Sequence, residues 1–175
     1  SSAASDVYKR QPEVVIQLLG AGANPRAFGL DGCSALHYAA RLNEGAMVRT
    51  LLRTAVVVDA VDSAGETPLM HAVGVEAAPQ VLQLLLEAGS NIYRPNIAGE
   101  TPLPLAARPQ NAENINLLLR AGAPANPQPA KDGRTPLHVA CMSGSLSCAL
   151  ALLDRGGGAN VIDAMQRSPG FYAVK

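Results

Sequence analysis

A histidine and a cysteine lie close together at 138 and 141, where their chemistry could support catalysis. Side chains three residues apart on a helix share one face, so His138 could take the proton of the Cys141 thiol and leave a thiolate nucleophile. Such a pair needs a third group that orients the imidazole, and the sequence supplies none that we can identify. A buried free cysteine otherwise behaves as a small hydrophobic side chain. We therefore predict no catalytic residue at this pair.

A glycine-containing string, GAGANP at 20–25, is similar to a phosphate-binding loop. However, Pro25 stands where the third glycine of GxGxxG is required, and the string follows a predicted helix instead of opening one after a strand. The glycines at 156–158 likewise end a predicted helix. The sequence also has no Walker A string and no Ser-His-Asp set. We predict no nucleotide and no other cofactor.

The cysteines are too few and wrongly spaced for a disulfide framework or a thiolate metal site. The sequence has three, Cys33, Cys141 and Cys148, and no CxxC spacing. An odd number without that spacing disfavours both interpretations. We predict no metal site and a reducing, intracellular compartment, either cytoplasmic or nuclear.

The composition indicates a domain packed with aliphatic side chains. The 175 residues are 48% hydrophobic but only 3% aromatic, so a core must be built from Leu, Val and Ala. The 14 Lys and Arg residues balance the 14 Asp and Glu residues, which disfavours a general nucleic-acid surface. No apolar run approaches the roughly 20 residues that a membrane helix needs, and no signal-peptide core is visible. We predict no nucleic-acid binding and no membrane insertion of this segment.

Two independent markers recur along the chain with one period. A Ser or Thr before an apolar run recurs every 33 or 34 residues, at Ser34, Thr67, Thr101, Thr135 and Ser168. Paired leucines keep the same spacing at 18–19, 51–52, 85–86, 118–119 and 152–153. The Ser or Thr can cap a helix, and the Pro that often follows is favoured at the first helical position. A Gly three residues after most leucine pairs suits the left-handed end of a second helix. Each unit is therefore predicted to be a helix–turn–helix.

TPLHVA at 135–140 and EVVIQLLGAGA at 13–23 resemble the ankyrin repeat, which has a 33-residue period and a TPLHxA motif. The resemblance implies an all-α ankyrin-repeat solenoid of stacked helix–turn–helix units with projecting β-hairpin-like loops. We place a partial unit at 12–31, units at about 32–64, 65–98, 99–132 and 133–164, and a partial unit at 165–175. Residues 1–11 are predicted to be an artefactual, non-repeat leader. Since the pattern is cut within a unit at both ends, we expect a fragment of a longer array.

The repeat also interprets the candidate catalytic residues. His37 and His138 occupy the same repeat position three units apart, and the resemblance implies that each packs near the preceding loop and the cap hydroxyl. Cys141 takes the small-residue position of Ala40. Ala55 stands where Gly is expected, so the second helix of its unit should be strained at its end or closed differently.

The resemblance implies protein–protein recognition by a rigid scaffold with no chemistry of its own. Recognition residues of the family flank the Gly before each cap, or lie late in the first helix, so that they form a strip on a concave face. The predicted partner-binding residues are Leu30, Cys33, Arg41, Leu42, Glu66, Val75, Tyr93, Ile97, Glu100, Arg108, Lys131, Arg134 and Met142. Phe28, Ser63, Arg94 and Ser143 lie beside them.

The charges of this strip suggest what it binds. Arg108, Lys131 and Arg134 outnumber Glu100 in the last two full units, while Met142 and Tyr93 add apolar contacts. We predict a monomer whose partner is another protein that presents an acidic or mixed acidic–apolar segment. The alternative is that the array is the substrate-recognition region of a larger enzyme, a ubiquitin-ligase adaptor or a membrane channel, whose other module lies outside these residues.

Overall fold

The structure, a computed structural model, describes residues 14, 17–18, 20–75, 79–108, 111–127 and 131–174. The predicted leader at 1–11 lies outside these residues, as does much of the second helix predicted for the partial unit at 12–31. The described residues form α1 (Ala35–Arg41), α2 (Gly45–Leu52), α3 (Pro68–Val73), α4 (Pro79–Glu87), α5 (Pro102–Ala107), α6 (Ala112–Arg120), α7 (Pro136–Met142), α8 (Leu146–Leu153) and α9 (Pro169–Ala173). None of these helices is long and apolar enough to cross a membrane. The predicted all-α repeat solenoid is confirmed.

Each first helix of a unit begins at the Ser or Thr that the repeat predicts as its cap. The cap residue has an extended backbone, and Pro occupies the first turn of α3, α5, α7 and α9. At Thr67 the hydroxyl accepts a hydrogen bond from the amide of Met70 at 3.4 Å. At Ser34 and Thr135 the histidine three residues later completes a capping box. Local chemistry is therefore enough to start these helices at the predicted residues.

The second helices end in two different ways. After α6, Gly122 has a φ of 96°, and the next amide donates to the carbonyl oxygen of Leu118 at 2.9 Å. Ala55, at the equivalent position after α2, is not among the residues with a positive φ. The carbonyl oxygen of Leu51 accepts instead from the amide of Thr54 at 2.9 Å and from its hydroxyl at 2.7 Å. The end of α2 is therefore closed differently, which is one of the two outcomes expected for Ala55.

The helices pack in two layers around a continuous core. The first helices α1, α3, α5, α7 and α9 contact one another in order, and the second helices α2, α4, α6 and α8 do the same. Between the layers the core runs from Leu36 in α1 to Leu152 in α8, and both side chains are fully buried. Because a unit can bury its apolar face only against its neighbours, stability is shared along the array.

The turns between units are tied directly to one another. One backbone amide in each turn donates to a backbone carbonyl of the turn before it. The amide of Ser63 donates to the carbonyl oxygen of Asp31, and the amide of Ala164 to that of Asp132, both at 3.0 Å. Gly133 lies at this contact with a φ of 75°, and a Cβ added there would lie 2.6 Å from the amide nitrogen of Ala164. A residue with a side chain would therefore meet both a left-handed backbone and a backbone neighbour. These close contacts set the positions of the turn side chains relative to the first helices.

Candidate functional site

A groove lies between the turns and the first helices of the units at 99–132 and 133–164. Its volume is about 250 Å³. The turns supply its carboxylates and one arginine, while α5, α7 and the residues that end these helices supply the rest. It is lined by Glu100, Pro104, Arg108, Asp132, Arg134, Val139, Met142 and Ser143. We call this surface the groove.

The two arginines of the groove are already paired with carboxylates of the same chain. Arg108 forms an ion pair with Glu100, and Arg134 Nη1 lies 3.1 Å from Asp132 Oδ2. Lys131 is exposed and lines an adjoining hollow, and within the described part of the chain no ion pair is formed by its ammonium group. With Asp132 included, three positive side chains face two carboxylates, so the net charge of this surface is +1. The count against Glu100 alone gave +2. Each pair has one side chain about half exposed, Arg108 or Asp132, and ion pairs open to solvent contribute only about 0–1 kcal/mol, so a partner could rearrange them.

Met142, which is 46% exposed, contributes to the apolar part of the groove. Pro104 and Val139 complete this apolar lining. Tyr93 lines a separate hollow of about 460 Å³. Its hydroxyl donates to the carbonyl oxygen of Gly122 at 3.2 Å. Contact of Tyr93 and Met142 with a partner stays a prediction.

The other predicted partner-binding residues are spread along the array. Those with exposed side chains are Phe28, Leu30, Arg41, Leu42, Ser63, Arg94 and Ile97. Glu66 and Val75 are partly buried. Cys33 is only 4% exposed, so it cannot contact a partner on the folded surface as predicted. Contact of the exposed and partly buried residues with a partner stays a prediction.

His37 and His138 are buried, and each uses both ring nitrogens within the fold. Nδ1 of His138 accepts from the amide of Thr135 at 3.1 Å, while Nε2 lies 3.0 Å from the carbonyl oxygen of Arg167. Since an amide can only donate, Nε2 must hold the proton and donate it to that carbonyl. His37 makes the equivalent bonds, starting from the amide of Ser34, and burial lowers its pKa. Nδ1 of each histidine also lies within 2.9 Å of its cap hydroxyl, as expected. Each histidine thus joins its own cap to the turn that follows its unit.

The His138–Cys141 pair is not arranged for nucleophilic catalysis. Neither ring nitrogen of His138 is free to accept the thiol proton, because both are engaged with the backbone. Burial raises the pKa of Cys141, which disfavours the reactive thiolate. The three cysteines of the sequence all lie in the described part, and all are free thiols.

Cys33, Asp62 and His71 form a cluster that the sequence did not lead us to expect. Cys33 comes from the turn before α1, Asp62 from the turn before α3, and His71 from α3 itself. Their Sγ, Oδ2 and Nε2 atoms all lie within 4.8 Å of one another. Asp62 Oδ2 is 3.9 Å from Sγ and 2.8 Å from Nε2. The side chains of Asp62 and His71 are each only 9% exposed, so all three groups are sheltered from water. These residue types are also those that could hold a metal ion.

Negative charge surrounds this cluster. Burial acts to raise the pKa of Asp62, but hydrogen bonds from His71 and from the amide of Glu66 outweigh it and hold the pKa below its ordinary value. Burial, a hydrogen bond with Asp31 and the nearby carboxylates raise the pKa of Cys33 to about 11. Glu66 adds a further carboxylate, with Oε2 3.8 Å from His71 Nε2.

A nine-residue spacing is the signal that could have revealed part of this cluster. Asp62 precedes His71 by nine residues, and Asp163 precedes Tyr172 by nine. The Tyr172 hydroxyl donates to Asp163 Oδ2 at 2.6 Å, as His71 bonds Asp62. The spacing joins a turn to the helix that follows it. Cys33 reaches the site from the preceding unit, so no local spacing identifies it.

Comparison with known proteins agrees with the repeat architecture. A family model for ankyrin repeats in three copies matches residues 2–96 and again residues 75–165. Protein PhlB of Serratia liquefaciens is 44% identical over 68 residues, which are 38% of this chain and 30% of that protein. The chain therefore spans about a third of the length of the curated relative it matches. From its period, its capped helix pairs and this family match, the chain belongs to the ankyrin-repeat family of protein-binding repeats.

Proposed function

We propose that this chain is a protein-interaction scaffold that holds a segment of another protein in the groove. The observation that carries the proposal is the groove itself, where turns and first helices of two adjacent units surround a volume of about 250 Å³. Peptide and protein sites combine a few apolar anchors with polar groups that fix orientation. The groove offers both.

The segment that fits this groove carries an acidic residue beside an apolar one. Met142 offers a flexible apolar surface, which can adapt to several side chains. Lys131 offers the positive charge that no carboxylate of the described chain pairs with. Arg108 and Arg134 can contribute only by exchanging Glu100 or Asp132 for a carboxylate of the partner. The proposal is therefore a mixed acidic–apolar segment, held most directly by Lys131 and Met142.

We further propose that the scaffold acts without catalysis of its own. The support is that His37 and His138 are buried and that both ring nitrogens of each are hydrogen-bonded to backbone groups. The thiol nearest to one of them, in Cys141, has a raised pKa. A monomeric state and an intracellular location remain predictions.

A matched pair of charge reversals tests the groove. Panning a peptide library against the full chain supplies binding peptides, whose affinity is then measured by calorimetry. Lys131→Glu should weaken binding at least about fivefold, because loss of an energetically important contact costs more than about 1 kcal/mol. Arg120→Glu makes the same change of charge on the exposed surface of α6 and should leave affinity nearly unchanged. Arg134→Glu is unsuitable, since it would place a second carboxylate beside Asp132.

A second pair tests the apolar contact in the same way. Met142→Gln should also weaken binding, whereas Leu153→Gln should not. The two side chains have similar exposure, 46% and 43%, but Leu153 lies on α8 away from the groove. Thermal melts check that each variant stays folded. Peptides that tolerate Lys131→Glu and Met142→Gln but lose affinity with Arg120→Glu would show that partners use the second helices instead.

A further inference from the structure

We propose that Cys33, Asp62 and His71 form a binding site for Zn²⁺ or a similar divalent cation, at the junction of the units at 32–64 and 65–98. Thiolate, imidazole and carboxylate are the three ligand types that zinc takes from proteins. They come here from two turns and one helix that the repeat stacks against one another. A bound ion would therefore join two adjacent units.

Two of the three ligand separations in the cluster are close to those that a tetrahedral ion requires, and the ligand atoms of Cys33 and His71 lie within 4.8 Å of each other. Zinc–ligand bonds of about 2.0–2.3 Å at tetrahedral angles place sulfur about 3.5 Å from oxygen and nitrogen about 3.3 Å from oxygen. The corresponding separations are 3.9 Å for Cys33 Sγ to Asp62 Oδ2 and 2.8 Å for Asp62 Oδ2 to His71 Nε2. Each differs from the requirement by about half an ångström, which side-chain rotation can supply. Asp62 Oδ1 already accepts the amides of Ala64 and Glu66, so the loop holds the carboxylate with Oδ2 directed at the cluster.

A second junction of the same array, 101 positions further on, can be compared with this site residue by residue. The residues that correspond to Cys33, Asp62, Glu66 and His71 are Arg134, Asp163, Arg167 and Tyr172.

At that second junction the carboxylate is neutralised by the chain. Arg167 Nη2 lies 3.0 Å from Asp163 Oδ2, and the guanidinium of Arg134 lies over the ring of Tyr172 at 5.7 Å. At the first junction neither arginine is present, because Cys33 stands in place of Arg134 and Glu66 in place of Arg167. Among the described residues no arginine pairs with Asp62, whose Oδ2 contacts the His71 imidazole and the Cys33 thiol instead. A divalent cation would supply the positive charge that Arg167 supplies to Asp163 at the second junction.

Glu66 lies beside the three ligands without being one of the group, so its side chain would have to rotate to provide a fourth ligand. Its Oε1 accepts from Asn96 Nδ2 at 3.3 Å, while Oε2 lies 3.8 Å from His71 Nε2. When the ion binds, the Cys33 thiol releases its proton to solvent and the sulfur forms the metal bond. The imidazole then carries its proton on Nδ1, so that Nε2 can coordinate the ion.

Cobalt(II) titration of the full chain tests the site, because a thiolate-bound cobalt ion has a charge-transfer band in the near ultraviolet. We expect one equivalent of cobalt to give this band, and zinc to displace it. Cys33→Ala should abolish the band. The control Cys141→Ala removes a partly buried thiol elsewhere in the array and should leave the band and its midpoint unchanged.

His71→Tyr separates ligand loss from misfolding. Tyr172 shows that a tyrosine at this repeat position can hydrogen-bond the turn carboxylate, and it makes the same edge-on contact with a buried histidine. The variant should therefore keep the thermal midpoint of the metal-free protein within a few degrees, yet bind cobalt at least about a hundredfold more weakly. The proposal is overturned if the wild-type chain gives no band, if Cys33→Ala retains it, or if His71→Tyr binds cobalt as tightly as the wild type.

Discussion

Replacing Gly133 by alanine should destabilise the array more than replacing Gly144, although both residues have left-handed backbones. Their φ values are 75° and 69°, so the strain of placing a Cβ on such a backbone is common to both and is about 1–2 kcal/mol. The surroundings differ. A Cβ at 133 would lie 2.6 Å from the amide nitrogen of Ala164, whereas no atom of the described residues beyond its chain neighbours lies within 4 Å of a Cβ at 144.

The additional loss at Gly133 follows from what must move. The obstructing atoms belong to the backbone of the next turn, so no flexible side chain can relieve the contact. Separating the turns stretches the hydrogen bond from the Ala164 amide to Asp132, now 3.0 Å long. Overpacking of this kind costs about 1–3 kcal/mol. Gly133→Ala should therefore lower the unfolding free energy by about 2–5 kcal/mol, and Gly144→Ala by about 1–2 kcal/mol.

Equilibrium urea unfolding, followed by circular dichroism, measures both losses. Gly133→Ala should lower the urea midpoint more than Gly144→Ala does. The dependence of the unfolding free energy on urea should stay similar for both, because the surface exposed on unfolding is unchanged. Gly133→Ala should also weaken peptide binding, since it displaces Asp132 and Arg134 at the groove. Equal losses for the two variants, or a larger loss for Gly144→Ala, would refute the reasoning that close stacking of the turns requires glycine at 133.

Three further predictions address the register, a helix end and the acid stability. Leu118→Ala should lower the unfolding free energy by about 2–5 kcal/mol, because the side chain is fully buried, whereas exposed Arg155→Ala should change it by less than about 0.5 kcal/mol. Urea melts with the opposite order would contradict the register. Ala55→Gly should destabilise by about 0.4–1 kcal/mol, since α2 ends without a left-handed residue there and glycine only adds freedom to the unfolded chain. A higher urea midpoint would show that position 55 needs a positive φ. Burial acts to raise the pKa of Asp163, but the hydrogen bond from Tyr172 helps to hold this pKa below its ordinary 3.8. The stability that the ionised carboxylate contributes is therefore complete above pH 3.8 and is lost as the pH falls below it. Tyr172→Phe should make this acid-induced loss smaller in urea melts at decreasing pH, and an unchanged or steeper loss would argue against the bond.

The sequence was sufficient for those parts of the fold that local chemistry determines. The caps at Ser34, Thr67 and Thr135 start helices where the repeat predicts, because a capping side chain and a following Pro or His act within one turn. The paired-leucine marker likewise falls on Leu118 and Leu152, whose side chains are fully buried. Both depend on neighbours close in sequence.

The sites were less predictable because they depend on contacts between units. Cys33 was expected on the surface, but it is buried against Asp62, which lies 29 residues further on. Whether Arg134 faces a partner or pairs with Asp132 depends on the shape of one turn. A repeat period indicates which residues occupy equivalent positions. It does not give the distance between turns of adjacent units, on which these contacts depend.

Amide NMR of the isotopically labelled chain, titrated with a peptide selected by panning, tests the proposed binding surface most directly. The largest shifts should fall within 97–108 and 131–143, which contain the groove residues and Lys131. The amides of α2, α4 and the exposed side of α8 should change little, since these second helices lie in the other layer. Shifts concentrated on the second helices, with the groove unchanged, would contradict the account.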